Sequence, residues 1–226
     1  MYKSIIRPIL FKFNPETAHQ FTLNSLKVLG KIPFVRSIIR LIYKREHPAL
    51  AKEVFGIKFP NPVGLAGGLD KNGECYNELS DFGFGFVEIG SLTVKPQPGN
   101  PKPRLFRVIK DRAIINRMGI NNKGIANAIA NLNKEHPEVI IAGNIAPNSA
   151  SQGEQVAEDY KAAFSLLYDF VDMFVVNISC PNVVGLTSLQ DTSALSDFMD
   201  NILNMRTGLE AYSAEIVPGS YSYSDR

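Results

Sequence analysis

The sequence predicts an α/β protein built on a parallel sheet. From Phe55 onward, short apolar runs that end in Gly, Asn or Ser alternate with longer polar segments of helical composition. Parallel strands that are buried on both faces appear in a sequence as such apolar runs, and helices connect them. The chain has 226 residues, 45% of them hydrophobic, which suits one globular domain with a small appendage.

Four strands and three helices are predicted in this alternating part of the chain. The strands are residues 61–68, 84–91, 139–148 and 172–179, and the helices are residues 72–82, 122–135 and 151–170. Small polar residues lie at the C-terminal ends of three of these strands, namely Ser91, Asn144, Asn177 and Ser179. Ligands of parallel α/β folds bind at that edge of the sheet, so we expect the functional site there.

Residues 1–45 predict an arm of short amphipathic helices. An Asn14-Pro15 signal opens the first long helix and Gly30 ends it. Its predicted apolar face consists of Ala18, Phe21, Leu26 and Leu29. The next helix begins at Pro33, and its predicted apolar side consists of Phe34, Ile38, Leu41 and Ile42.

The arm is strongly basic. It has nine Lys or Arg residues and one acid, Glu16, which gives it a net charge of +8 in a chain whose total is +2. Its charges interrupt every apolar run well before the length of a membrane span. Two interpretations stay open: the helices lie in the interface of an anionic membrane, or they pack on the body as ordinary helices.

The two cysteines, Cys75 and Cys180, lie far apart, and no cleavable signal peptide is visible. This pattern favours a reducing compartment over structural disulfides. Cys180 follows a predicted strand in "VVNISCPNVVGL" and is interpreted either as packing or, depending on its pKa, as a base or nucleophile. No His, CxxC pair or metal-ligand cluster lies near it, which argues against a zinc site and a protease-like dyad.

Asparagines supply most of the candidate binding groups, because each carboxamide offers both donors and an acceptor. Together they suit a small, flat, polar ligand with imide-like edges; they are Asn116, Asn121, Asn122, Asn144, Asn177 and Asn182. Lys71, in "GGLDKNG", is interpreted either as the partner of an anionic ligand or as a solvated turn lysine. The segment "INRMGINNKG" has neither helical nor strand periodicity and is predicted to be a binding loop.

Several long motifs, in order along the chain, carry a resemblance to a known family. They are "NPETAHQFTL", "FPNPVGLAGGLDKNGE", "FVEIGSLTVKPQPGNPKPRLFR", "INRMGINNKG" and "VVNISCPNVVGL". In these motifs the chain resembles dihydroorotate dehydrogenase, specifically the membrane-associated, quinone-using class 2. The resemblance implies a (β/α)₈ TIM barrel that holds FMN at its C-terminal face. It also implies oxidation of dihydroorotate to orotate in pyrimidine synthesis, with electrons passing from flavin to quinone.

Carried over by position, the resemblance implies a role for each of several residues. FMN would be bound by Gly67, Gly68, Ser91, Asn144 and Asn177. The substrate would be bound by Lys71, Asn116, Arg117, Met118, Gly119, Ile120, Asn177 and Asn182. Cys180 would be the base that removes a proton from C5 as hydride leaves C6 for the flavin. His19 and Arg107 would line a quinone tunnel under the arm.

The resemblance also implies a location and a set of partners. The protein would lie peripherally on the cytoplasmic face of a bacterial inner membrane, and neither a metal nor a nucleic-acid partner is expected. The expected domains are the helical arm of residues 1–45, the first half of the barrel in residues 46–210, and a divergent tail of residues 211–226.

The sequence departs from the family pattern in three places. Class 2 enzymes usually have Ser where this chain has Cys180, which is the residue of the soluble class 1 enzymes. Ala146-Pro147 replaces a Gly-Lys pair that usually follows the strand ending at Asn144. The resemblance fades after "NILNMRTGLEAY", so only the first half of the barrel is expected, in a truncated or frame-shifted product.

Three functions are compatible with these features. The arm favours the quinone-dependent class 2 enzyme. The missing second half is compatible with an inactive fragment that binds a membrane or a partner chain. Cys180 is compatible with a soluble class 1-like enzyme that uses another electron acceptor.

Overall fold

The structure is a computed structural model that describes residues 2–132, 139–178, 196, 200 and 202–207. The arm begins with a π-helical turn, Tyr2–Ile6, and helix α1, Arg7–Leu10. Helix α2, Pro15–Leu29, starts at the predicted signal, because Asn14 Oδ1 accepts the backbone N–H of Glu16 at 3.0 Å. Helix α3, Pro33–Tyr43, follows. Both predicted helices of the arm are observed.

The predicted apolar face of α2 is right for two residues and wrong for two. Ala18 is buried and Leu26 packs against the core. Phe21 and Leu29 are instead 63% and 44% exposed. The helix is therefore turned relative to the stripe that its apolar residues define.

Polar contacts account for this rotation of α2. The side that faces the body carries Leu23, which is buried, together with Glu16 and Lys27. Glu16 and Lys27 both form ion pairs with charged residues of the body. A stripe drawn through apolar residues alone omits these pairs and so misplaces the face.

Helix α3 docks on the body through its polar side. Arg36 Nε lies 2.6 Å from Asp81 Oδ2 and Arg40 Nε lies 2.5 Å from Asp81 Oδ1, and Asp81 is 2% exposed. The opposite side is apolar, as predicted, but it is open to solvent, since Phe34 and Leu41 are 73% and 78% exposed. We call this side the outer face of α3; it consists of Phe34, Ile38, Leu41 and Ile42.

The body alternates strands and helices. In chain order its elements are β1 (Lys52–Val54), β2 (Ile57–Phe59), β3 (Gly64–Leu65), α4 (Tyr76–Ser80), β4 (Phe86–Leu92), β5 (Leu105–Val108), β6 (Ala113–Asn116), α5 (Ile125–Leu132), β7 (Ile140–Ile145), α6 (Glu154–Leu167) and β8 (Met173–Val176). Single turns of 3-10 helix lie at Pro48–Leu50 and Tyr168–Phe170.

The central sheet has four parallel strands in the order β3-β4-β7-β8. Its register pairs Gly64 with Phe86, Val87 with Ile141, and Ala142 with Met173. This confirms the four predicted strands and the parallel α/β class. The described part of the chain forms an open sheet and contains no closed barrel.

Two antiparallel hairpins were not predicted. One pairs β1 with β2 through Phe55 and Gly56, which both have positive φ. The other pairs β5 with β6. Because Ile115 and Asn116 belong to β6, the predicted binding loop of residues 115–124 starts two residues too early.

The core lies on one face of the sheet. Val87 and Ile89 of β4 are fully buried, as are Leu132 of α5 and Tyr160 of α6. Cys75 is a buried free thiol in this cluster, and burial raises its pKa to about 12, which makes it a packing residue. None of the described helices is both long and apolar enough to span a bilayer.

Candidate active site

Three residues predicted to bind the cofactor come together at the C-terminal edge of the sheet. Ser91 lies in β4, Asn144 lies in β7, and Asn177 directly follows β8. Asn177 Nδ2 donates to Ser91 Oγ at 2.9 Å, and the buried Tyr160 hydroxyl donates to the Asn177 carbonyl at 2.7 Å. Parallel pairing of the strands places these side chains side by side, as the sequence predicts.

Asn144 is buried in an arrangement that leaves one of its atoms without a partner. The residue is 8% exposed, and its Nδ2 donates to Glu88 Oε1 at 2.5 Å. Its Oδ1 is buried and accepts no hydrogen bond within the structure described. A buried acceptor without a donor costs about 1–3 kcal/mol, so this oxygen marks a place where a ligand N–H would be stabilised.

Two glycines after β3 adjoin this edge for different reasons. Gly68 has a φ of +97° and donates its N–H to the Gly90 carbonyl at 2.8 Å, a backbone conformation that other residues rarely adopt. In the part of the chain that the structure describes, no atom lies within 4 Å of the place where a Gly68 Cβ would stand. At Gly67, by contrast, a Cβ would stand 2.6 Å from Glu88 Oε1. Gly67 therefore leaves room for the Glu88 carboxylate.

A cleft of about 930 Å³ lies between α2 and the loops of the body. Lys71 and Met118, both predicted to bind substrate, line it together with His19. Lys71 Nζ donates to the Gly68 carbonyl at 2.7 Å. Burial lowers the pKa of Lys71, and the Arg104 charge lowers it further, while Glu16 acts in the opposite direction. The structure thus brings these three predicted residues to one cavity, which Asn121 and Asn122 also line.

Hydrogen bonds from side chains to the backbone hold the predicted substrate loop. Asn116 Oδ1 accepts the Met118 N–H at 3.4 Å. Gly119 and Ile120 both have positive φ, and the Gln97 side chain donates to their carbonyls at 3.2 and 3.0 Å. Gln97 therefore holds the two consecutive residues of this loop that have a positive φ, a conformation that is uncommon for a residue such as Ile120.

Two side chains of the predicted binding loop, residues 115–124, form hydrogen bonds within the protein. Arg117 donates to the Pro103 carbonyl through Nε and Nη2, at 3.2 and 2.9 Å. Asn122 is 7% exposed; it donates to Thr93 Oγ1 at 2.9 Å and accepts the Gly124 N–H at 2.8 Å. The interpretation of Asn122 as a ligand-reading group is corrected, because it closes its own turn and ties it to the residue after β4. Asn121 Oδ1, in contrast, is buried without a hydrogen-bond partner in the described structure.

The two residues predicted for a quinone tunnel lie in different surroundings. His19 Nε2 lies 2.7 Å from the Leu69 carbonyl, so this nitrogen carries the proton and donates it. Burial lowers the pKa of His19 and so favours the neutral ring. Arg107 instead contacts the start of the arm, where its guanidinium lies 4.5 Å from the Phe11 ring centroid and donates to the Phe13 carbonyl at 2.8 Å. Among the described residues that line the cleft, His19 is present and Arg107 is absent.

Ion pairs join the arm to both sides of the cleft. Glu74 pairs with Lys27 of α2 and with Lys123, whose Nζ lies 2.7 Å from Glu74 Oε1. Although burial acts to raise the pKa of Glu74, the hydrogen bonds from Lys123 and Lys27 outweigh it and lower the pKa to about 2. The Glu74 carboxylate is therefore ionised throughout the usual pH range.

The second pair lies at the start of α2. Arg104 is 6% exposed and its Nη2 lies 2.8 Å from Glu16 Oε1. Burial acts to raise the pKa of Glu16, but the hydrogen bond and charge of Arg104 prevail and lower it. Arg104 also accepts the Arg117 N–H through its carbonyl at 2.8 Å, so one residue contacts both the arm and the predicted substrate loop.

Some predicted site residues fall outside the described structure. Ser179, Cys180 and Asn182 are among them. Their predicted roles stay predictions.

Sequence reasoning missed Glu88, Gln97 and Arg104. For Glu88 a signal existed, since it is the one acid inside the apolar run "FGFVEIGS". A charged side chain in an otherwise buried strand is costly without a hydrogen-bond partner, so its presence predicts a partner on a neighbouring element. Gln97 and Arg104 lie in Pro-rich sequence with no periodicity, and the contacts that matter for the site are distant in the chain: Gln97 with Gly119 and Ile120, and Arg104 with Glu16.

Comparisons with known proteins agree with the fold and with the motifs. Residues 49–208 match the family model described as "Dihydroorotate dehydrogenase". A protein of Christiangramia forsetii named "Dihydroorotate dehydrogenase (quinone)" is 51% identical over 202 residues, which cover 89% of this chain and 59% of that protein. A protein of the same name from Methylococcus capsulatus is 40% identical over 218 residues, which cover 96% of this chain and 63% of that protein.

Solved structures give the same result. The crystal structure of DHODH from Eimeria tenella in complex with ferulenol superposes with a TM-score of 0.75 and 34% sequence identity. The match covers 87% of this chain and 52% of that chain. The chain thus spans roughly three-fifths of the length of the curated relatives above, which are 59% and 63% covered. The chain belongs to the dihydroorotate dehydrogenase family.

Proposed function

We propose that the protein oxidises dihydroorotate to orotate with FMN and passes the electrons to a quinone, as a step of pyrimidine synthesis. The observation that carries the proposal is Asn144 Oδ1, a buried acceptor that has no hydrogen-bond partner among the described residues, near the Ser91 and Asn177 pair. The relatives' printed names specify a quinone, which supports this acceptor over that of a soluble class 1-like enzyme.

The residues at the sheet edge fit a flavin. The pyrimidine edge of an isoalloxazine ring has one N–H between two carbonyl oxygens, and Asn144 Oδ1 offers the acceptor that this N–H requires. FMN would be held by Gly67, Gly68, Ser91, Asn144 and Asn177. When bound, FMN supplies the hydride acceptor and the route for electrons to a second substrate.

Lys71 would bind the carboxylate of the substrate. An ammonium has three donors, and Lys71 uses one of them on the Gly68 carbonyl at 2.7 Å. Its partial burial strengthens the attraction to an anion, because the surroundings screen charge less than water does. Asn116 and the loop residues Arg117, Met118, Gly119 and Ile120 would form the adjoining wall, in the turn that Gln97 fixes.

Cys180 is proposed as the base that removes the C5 proton, and Asn182 and Asn177 as groups that hold the ring. A thiol titrates at lower pH than a hydroxyl, so Cys180 needs less activation than the serine usual in class 2. Amide donors on the ring carbonyls would stabilise the negative charge that develops when this proton leaves.

The arm would meet the membrane and the quinone. Its basic residues favour an anionic surface, and the outer face of α3 offers exposed apolar side chains to the interface. His19 lines the cleft beneath α2, and Arg107 contacts the arm at Phe11. We therefore place the protein peripherally on the cytoplasmic face of a bacterial inner membrane, with His19 and Arg107 on the quinone side.

Flavin content and turnover test the proposal together. The chain is purified, and its visible absorbance is measured before and after addition of FMN. The expected result is one FMN per chain and reduction of a quinone analogue that depends on dihydroorotate. Asn144→Ala should lower the FMN affinity, while Glu158→Gln, an exposed residue on α6, should leave it unchanged. Preference for fumarate over the quinone analogue would contradict the assignment of the electron acceptor.

A second candidate function is membrane binding without catalysis. The outer face of α3 favours it, because the helix docks through Arg36 and Arg40 and turns its apolar side outward. Flotation with vesicles of anionic phospholipid tests it. Binding by a chain that takes up no FMN would support this candidate, and absence of binding would refute it.

A further inference from the structure

Glu88 is an acid in the middle of the sheet. It lies in β4 between Val87 and Ile89, which are both fully buried, and it projects from the other face of the strand. Its carboxylate oxygen Oε1 accepts a hydrogen bond from the Asn144 amide nitrogen at 2.5 Å. The two residues are on neighbouring strands, and this hydrogen bond crosses the β4–β7 pair at the end where the predicted cofactor residues meet.

The chemistry of this hydrogen bond fixes the orientation of the Asn144 amide. An ionised carboxylate can only accept, so the NH₂ group of Asn144 must face Glu88. The carbonyl oxygen Oδ1 must then point the other way, and it is this atom that is buried without a partner in the described structure. A carboxamide without such a neighbour can present either its oxygen or its nitrogen. Glu88 therefore decides that Asn144 shows an acceptor.

Gly67 makes this arrangement possible. A Cβ at position 67 would stand 2.6 Å from Glu88 Oε1 and 3.4 Å from Asn144 Nδ2. The first distance is shorter than any ordinary contact, so a side chain at residue 67 would displace the carboxylate. Gly67, Glu88 and Asn144 thus form one unit, which we call the amide clamp.

We propose that Glu88 is a positioning residue of the cofactor site, which holds Asn144 Oδ1 as an acceptor for the N–H of a bound flavin. This inference rests on the proposed function. It assigns Glu88 to no direct contact with the cofactor and to no step of the reaction. Glu88 affects cofactor binding only through Asn144, whereas a general effect of its charge would not depend on Asn144.

A double-mutant cycle on FMN affinity tests that route. The dissociation constant of FMN is measured by fluorescence for the chain as it exists, for Glu88→Gln, for Asn144→Ala and for the double variant. The carboxamide that replaces the carboxylate can donate as well as accept, so Glu88→Gln should weaken FMN binding about tenfold. In the Asn144→Ala background the same change should matter less than about twofold, because the amide that it orients is gone. An equal loss in both backgrounds would overturn the proposal.

A flavin-free readout keeps the clamp separate from the proposed function. The side-chain NH₂ signals of Asn144 are assigned by NMR in the chain without added FMN. A hydrogen bond to a carboxylate shifts one of these protons downfield, and Glu88→Gln and Gly67→Ala should both reverse the shift. Identical Asn144 signals in all three proteins would overturn the clamp. Failure of the unsubstituted chain to bind FMN would refute the proposed function, whereas the clamp is decided by these signals.

A matched control excludes trivial effects of charge and stability. Glu158→Gln removes one negative charge from an exposed site on α6, where Glu158 pairs with Lys161. It should change neither FMN affinity nor the Asn144 signals. Loss of native circular dichroism in Glu88→Gln would assign Glu88 to folding and would also overturn the proposal.

Discussion

Replacing Asp81 by Asn tests how helix α3 is held on the body. Asp81 is 2% exposed and accepts hydrogen bonds from Arg36 Nε at 2.6 Å, from Arg36 Nη2 at 3.2 Å and from Arg40 Nε at 2.5 Å. Asn keeps the size of the side chain but removes its charge and one acceptor oxygen. The substitution therefore acts on the ion pairs and leaves the packing in place.

The size of the effect follows from the exposure of the two arginines. Removal of one partner from a buried ion pair costs about 3–5 kcal/mol when the other charge stays buried. Here the side chains of Arg36 and Arg40 are 26% and 50% exposed, so water can solvate both guanidinium groups once Asn replaces Asp81. We therefore expect the free energy of unfolding to fall by about 2 kcal/mol, a loss between that for a buried ion pair and that for a surface ion pair.

Urea denaturation measures this loss, and hydrogen exchange locates it. Exchange should become faster in residues 33–43, which form α3, and change little in the central sheet. Glu158→Gln, in an exposed pair, should lower the free energy of unfolding by less than about 0.5 kcal/mol. A loss of under about 0.5 kcal/mol for Asp81→Asn would refute the view that these ion pairs hold α3.

Three further predictions concern charge, catalysis and the membrane. The pKa of Glu74 is about 2 against an ordinary value of 4.5, so its stabilising effect is complete above pH 4.5 and is lost as the pH falls towards 2. When the free energy of unfolding is measured over this pH range, the unsubstituted chain should lose roughly 2 kcal/mol more than Glu74→Gln. This is less than the pKa shift alone would give, because the partner lysines are partly exposed. Equal losses in the two proteins would contradict the pairing. Cys180→Ala should lower dihydroorotate turnover by about 10²- to 10⁴-fold, while Cys180→Ser should keep turnover with a pH optimum shifted upward; full activity of the alanine variant would exclude the thiol as base. Leu41→Glu should weaken binding to anionic vesicles by about tenfold or more without changing thermal stability, since Leu41 is 78% exposed; unchanged flotation would show that the outer face of α3 does not meet the lipid.

The sequence was sufficient to predict the four central strands because each is a short apolar run that ends in small polar residues. Their parallel direction was expected because helical segments lie between them. The hairpin of β5 and β6 was not predicted, since β6 is exposed along its whole length and shows no alternation of apolar and polar residues. The turn between these strands also lacks glycine, the usual signal of a hairpin.

The site was predictable where it depends on the ends of strands. Ser91 and Asn177 were expected at the same edge, and they are hydrogen-bonded to each other. The roles of Glu88 and Arg104 depend on partners 56 and 88 residues away in the chain, Asn144 and Glu16, and no local pattern specifies such pairs. Helix α2 shows the same effect, because its ion pairs with the body turn it away from the face that its apolar residues define.

Spectroscopic titration of the chain with FMN tests directly whether the protein is a flavin-dependent dihydroorotate dehydrogenase. We expect saturable binding of one FMN per chain, and bleaching of the flavin absorbance when dihydroorotate is added without oxygen. Restoration of the absorbance by a quinone analogue would complete the proposed reaction. A chain that folds and binds no FMN, or whose bound flavin is not bleached by dihydroorotate, would refute the proposed function.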